Sequence, residues 1–203
     1  MSIVSSLLAS AVVASTSATP LPWFDLDDYP VKAFERELQG VTTFAVIVGP
    51  DGRAADCQIT QSSGHGMLDR QACWVAVKRA RFTPAYGSDG RPTFGVYRSQ
   101  VVWARPDRNL SMQRDLGPDL EVSVNQLPPG ITQPLAVKVA YLVDPAGNPS
   151  ACTPLPDSKG QPVQLVDVAC QALFQQLPRQ PVTAGGNAVP AVKTAAVRIT
   201  ASK

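Results

Sequence analysis

The sequence predicts an α+β fold of two tandem small domains, each a three-stranded antiparallel sheet with a packed helix in the order β-β-α-β. Three observations carry that expectation. A segment around Cys57 recurs around Cys152. Runs rich in β-branched residues alternate with turn chemistry, and each repeat holds one stretch of helical spacing. The four cysteines fall two to each repeat.

A chain of 203 residues has room for one large domain or two small ones, and 44% hydrophobic with 17% charged residues is ordinary for a globular protein. The net charge of +2 and pI near 8.4 are too mild to imply nucleic acid, whose partners show a domain pI above about 9. Residues 1–18 read as a secretory leader: the apolar run from Ile3 to Ala14 precedes small residues, and Ala14 or Ala18 would be the last residue removed. No Lys or Arg precedes the run. A membrane anchor is the competing reading, but the run is shorter than the roughly 20 apolar residues that cross a bilayer and is diluted by serine and threonine. The expected organisation is therefore a leader over 1–18, a first domain over 19–104, a linker over 105–118 holding Pro106 and Pro118, and a second domain over 119–203.

The repeat is visible without a gap. Val48, Pro50, Gly52 and Cys57 fall on Val143, Pro145, Gly147 and Cys152. With two extra residues in the second loop, Leu68, Ala72, Cys73 and Pro84 fall on Leu165, Ala169, Cys170 and Pro181.

In the first unit a short helix is expected over 31–38, after Tyr29-Pro30. A strand over 41–48 follows, rich in β-branched residues, and Pro50-Asp51-Gly52 turns the chain into an antiparallel strand over 54–60. Leu68, Ala72, Val75, Ala76 and Arg79 recur at helical spacing, so the aliphatic ones form one stripe able to cover a sheet. Lys78, Arg79 and Arg81 suit the helix end, where carbonyl groups lack partners. A third strand is expected over 94–103, after the turn Asp89-Gly90-Arg91-Pro92. The second unit repeats the order with strands over 135–143, 150–155 and 191–200 and a helix over 163–177.

None of the cysteines has the close C-x-x-C spacing of a zinc or redox centre. Of the three connectivities open to four cysteines, the repeat selects Cys57 with Cys73 and Cys152 with Cys170. Each bridge would join a return strand to the following helix and contribute roughly 3 kcal/mol in the chain-entropy picture.

The first unit resembles the carboxy-terminal domain of TonB proteins. The resemblance rests on Tyr29-Pro30, the turn Gly49-Pro50-Asp51-Gly52, Ser62-Ser63-Gly64, Leu68-Asp69, Ala72, Arg81-Phe82 and Pro84-Ala85; the second unit keeps only part of this set. It implies a periplasmic, exported, non-enzymatic module whose sheet edge takes up an extended segment of an outer-membrane receptor or other envelope protein. Strand addition of this kind draws affinity from main-chain hydrogen bonds and selectivity from alternate side chains. The expected edge is the last strand of the first unit, Thr93, Gly95, Tyr97, Ser99 and Val101, with Arg98 and Trp103 shaping selectivity. Energy transducers of this family also carry a membrane-embedded helix and a long proline-rich spacer. Pro20, Pro22 and Pro30 are too few for such a spacer, so a chain with its leader removed would bind without pulling. Inner-membrane anchoring follows only if the leader is retained. The alternative, from a different class, is a disulfide-stapled structural envelope protein whose two domains pack on each other and leave no edge free.

Other chemistry is set aside. His65 is the sole histidine, so an imidazole metal site is excluded, and Ser62, Ser63, His65 and Asp69 make a triad in name only. Asp69, Ser62 and Ser63 read as helix caps and turn-formers. Asp25, Asp27 and Asp28 lack the spacing of a calcium loop and read as solvated. No phosphate loop occurs. The basic residues Arg70, Lys78, Arg79, Arg81, Arg91, Arg98, Arg105, Arg108 and Arg114 lack the interleaved aromatics of a nucleic-acid platform. No cofactor, metal or nucleic acid is expected.

Overall fold

The structure, a computed structural model, describes residues 14–18, 23–105, 117–129, 131, 134–158 and 161–202. Most of the expected leader and of the linker expected over 105–118 lies outside these residues. Helix and sheet occur together, sheet predominating, which is the α+β class the sequence predicts.

In the first half, β2 (Gly40–Val48) turns into β3 (Ala54–Gln61), α2 (Gly66–Arg79) follows, and the short strands β4 (Phe82–Thr83) and β5 (Ala85–Tyr86) lead to β6 (Pro92–Trp103). In the second, β8 (Leu135–Val143), β9 (Pro149–Pro154) and α3 (Val163–Gln176) precede a small hairpin of β10 (Val182–Ala184) and β11 (Asn187–Val189), then β12 (Ala191–Ala201). The expected amino-terminal helix is the single turn α1 (Val31–Glu35), whose amide groups at Ala33 and Phe34 both donate to the Pro30 carbonyl. Two further strands stand outside the expected set. One is β1 (Ser17–Ala18), paired with β4; the other is β7 (Leu120–Val124), paired in parallel with β12.

The strands do not form two separate three-stranded sheets. They join in one eight-stranded sheet whose path runs β3-β2-β6-β12-β8-β9, with β5 on β6 and β7 on β12. The joint is a parallel pairing of Phe94 with Ala191 and Gly95 with Val192. Every other pairing along the path is antiparallel.

Successive side chains of a strand point to opposite faces, and the two helices use opposite faces of the joined sheet. Phe44, Val46 and Val48 pack with Leu68, Ala72 and Ala76 of α2, whereas their neighbour Ile47 packs into the cluster of Leu165, Ala169 and Leu173 of α3. Hence β2 is buried along its whole length, as a strand covered on both faces must be. Full burial of each large aliphatic side chain contributes about 1.5–3 kcal/mol.

The segments after each helix reach across to the other half. Ala85 of β5 packs with Ala140 and Val192, and β10 lies against β2 and β3. The tail of the expected leader is stitched to the first half as well: Ser17 and Ala18 pair with Thr83 and Phe82, and Thr16 Oγ1 donates to the Thr83 carbonyl at 2.7 Å.

Both disulfides have the expected partners. Cys57–Cys73 ties β3 to α2 with Cα atoms 5.5 Å apart, and Cys152–Cys170 ties β9 to α3 at 6.0 Å.

Candidate peptide-binding edge

The turn ahead of α2 is organised by one carboxylate. Asp69 is buried and accepts from Thr42 Oγ1 at 2.9 Å, Ser62 Oγ at 2.5 Å and the Ser63 amide at 2.9 Å. Thr42 Oγ1 in turn accepts from Trp103 Nε1 at 3.0 Å. Burial pushes the Asp69 carboxyl up, but the hydrogen bonds from Ser62, Ser63 and Thr42 outweigh it and hold the group below its ordinary value. Asp69 is therefore not the expected cap, since His65 holds the N-cap position and no side chain caps α2; it instead fastens the β3–α2 turn to β2 and, through Thr42, to the end of β6.

Gly52 serves the other turn. It sits at φ +75°, and a Cβ there would lie 2.4 Å from the Phe82 carbonyl oxygen. Its own carbonyl accepts from the Phe82 amide at 3.0 Å, so the turn and the segment after α2 are held together.

These anchors position β6. Along one side it pairs with β2 from Gly95 to Trp103. Along the other, Pro92 and Thr93 pair with β5 and Phe94 and Gly95 with β12. From Val96 onward no strand among the described residues pairs with that side. Thr93 and Gly95 thus have neighbours already and fall outside the open lane, because the joint between the halves begins where they stand.

Tyr97 turns inward, its ring 5.5 Å from Trp23 and 5.3 Å from Phe82. Ser99 and Val101 pair with Phe44 and Thr42 on β2, and the Val101 side chain packs against the α2 cluster. Trp103 is 3% exposed and belongs to that cluster, so its side chain cannot meet a partner; its place in the expected set came from the strand and not from its surroundings. Arg98 faces the other way. Its Nη1 donates to Asp119 Oδ1 at 2.7 Å and its Nη2 to the Thr194 carbonyl at 2.9 Å. Asp119 also exchanges hydrogen bonds with the main chain of Ala196, both at 2.8 Å. Sequence reasoning missed Asp119, which follows Pro118 at the end of the expected linker.

The remaining charges are mostly committed. The acidic run is solvated only in part: Asp25 and Asp27 are exposed, but Asp28 is buried and takes Arg79 Nη1 at 2.8 Å, while Asp25 caps the short turn Leu26–Asp28 and accepts from the same guanidinium at 3.2 Å. Arg105 pairs with Glu37 and lies 5.0 Å over the Phe34 ring. Arg108 and Arg114 lie outside the described residues. His65 starts α2 with its carbonyl, which accepts from Leu68 and Asp69. Among the described residues no group of three or more His, Cys, Asp or Glu could hold a metal ion, and no helix is long and apolar enough to cross a membrane.

No curated protein and no solved structure matches the chain. Residues 27–103 match the family model of the Gram-negative bacterial TonB protein C-terminal, a non-enzymatic protein-interaction family that works with outer-membrane receptors, and the matched stretch runs from the capped turn before α1 to the last residue of β6.

Proposed function

We propose that this protein is a periplasmic binding module that takes up an extended segment of an outer-membrane receptor by strand addition along β6, in the service of TonB-dependent transport. The observation that carries the reading is that β6, from Val96 to Trp103, pairs with no strand among the described residues on the side away from β2, inside the stretch that matches the family. Such a lane presents a row of main-chain donors and acceptors that another strand can satisfy. Tyr97, Ser99 and Val101 form its backbone, and Arg98 stands beside it as the one long charged side chain.

The second half is a divergent copy of the first in this reading. Its supports are the order of elements, the disulfide from return strand to helix, and Gly147. That glycine sits at φ +83°, and a Cβ there would lie 2.7 Å from the backbone of Gln180 and Pro181, as one at Gly52 would meet Phe82.

Calorimetric titration with a peptide from the periplasmic end of a TonB-dependent receptor tests the proposal, beside the same peptide carrying N-methyl groups on alternate amides. Strand addition needs those N–H groups, so the methylated peptide binds at least about tenfold more weakly. Equal affinity for both would sink the assignment. The pairing of β6 with β12 favours a second reading, in which the halves close each other's edges and the protein is a stapled structural element of the envelope. It expects neither peptide to bind.

A further inference from the structure

A cavity of about 290 Å³ lies between the halves, on the face of the joined sheet that α3 covers. Ile47 and Val96 of the first half form part of its floor, and Leu177 and Val182, from the segment after α3, form part of its wall. Into this apolar setting project Arg98, Tyr141 and Lys193, beside Asp119. The Arg98 guanidinium is engaged by Asp119 and the Thr194 carbonyl. The Lys193 ammonium and the Tyr141 hydroxyl have no hydrogen-bond or ion-pair partner among the described residues.

We propose that this cavity is a binding site for a carboxylate carried on a short apolar body, held by the Lys193 ammonium and the Tyr141 hydroxyl. Charge selects the headgroup. Arg98 and Lys193 bring two positive charges and Asp119 one negative, so a monoanion leaves the site neutral. Size selects the body, because the volume stands at the small end of ligand pockets, which span roughly 300–1,000 Å³. One amino-acid-sized group fits that scale. The lysine supplies the drive: a half-buried ammonium without a direct hydrogen-bond or ion-pair partner is unfavourable, and burial together with the nearby Arg98 pushes its pKa down while the more distant Asp119 draws it back up. The Tyr141 phenol, pushed up to about 12 by burial, stays a hydrogen-bond donor across the physiological range.

A free short-chain acid and the carboxy-terminal residue of a peptide share this chemistry. Calorimetric titration of the full chain with isocaproate, with alanyl-alanyl-leucine, and with its carboxamide separates them. The site predicts binding of isocaproate, weaker by about tenfold in Lys193→Met and by a smaller factor in Tyr141→Phe, two near-isosteric changes. Binding of the tripeptide acid as well, with its carboxamide at least about tenfold weaker, identifies a peptide terminus as the ligand; binding of isocaproate alone identifies a small acid. The proposal is overturned if isocaproate fails to bind, or if its affinity is unchanged in both variants while their melting temperatures match the parent. Strand addition along β6 is independent of this outcome, since it does not distinguish an acid terminus from an amide.

Discussion

Asp69 takes three hydrogen bonds, one from Thr42 on β2 and two from the adjacent Ser62 and Ser63, and its removal would be felt at both places. Asp69→Asn replaces an acceptor by an amide that must turn a donor toward Thr42, Ser62 or the Ser63 amide, so a loss of about 1–3 kcal/mol is expected in denaturant unfolding at neutral pH. The pH dependence follows from the lowered carboxyl. Its folded value lies below the ordinary 3.8, so its stabilisation is complete above that pH and is lost as the pH falls through the folded value. The melting-temperature gap between parent and variant should therefore narrow on acidification below the ordinary carboxyl value; a gap that widened there would contradict the assignment. At Gly52, alanine brings both a strained φ and a clash with a backbone carbonyl that cannot step aside. Gly52→Ala should cost more than about 2 kcal/mol by the same measurement. Ser62, Ser63 and Asp69 were legible in the sequence as turn chemistry ahead of a helix, though none of them caps it. Their tie to Trp103 was not, because Thr42 and Trp103 meet only once β2 and β6 have paired.

The strands and helices were the most legible elements, since periodicity and turn residues are local signals. Strand β8 and the start of α3 fall where the pattern places them, and β6 begins two residues earlier than expected because Pro92 and Thr93 pair with β5. The alternation of Leu120, Val122 and Val124 with Glu121 and Ser123 was a readable sign of β7. Its parallel partner lies far away in the chain, and nothing local announces it. The disulfides were legible through the repeat alone. Each closes a short loop, of sequence separation 16 and 18, and the double change Cys57→Ser with Cys73→Ser should lower stability by roughly 3 kcal/mol under oxidising conditions. Reduction of the parent protein should remove a comparable amount for each bridge. A reduced protein as stable as the oxidised one would show that the loops are already fixed by packing.

At the scale of the molecule, what escaped the sequence is how the halves sit together. The strand joint between the sheets rests on two residue pairs, and Ala85 against Ala140 and Val192, with β10 against β2 and β3, adds to the association. Small side chains such as Ala85 and Ala140 carry no pattern that distinguishes an interface from an ordinary core. Because each half covers part of the other, the protein should unfold in one transition. Trp23, Trp74 and Trp103 all lie in the first half, so tryptophan emission follows that half while far-ultraviolet circular dichroism follows both. Coincident melting curves are expected; two separated midpoints would show that the halves are thermodynamically independent.

The same exchange of cover has a consequence in time. A ribosome releases residues 40–103 well before it has made residues 177–184, and until then the floor formed by Ile47 and Val96 lacks the wall that those residues provide. The first half is therefore born with an apolar face bare, and any holding factor that recognises such faces has its opportunity in that interval, which closes when the second half arrives.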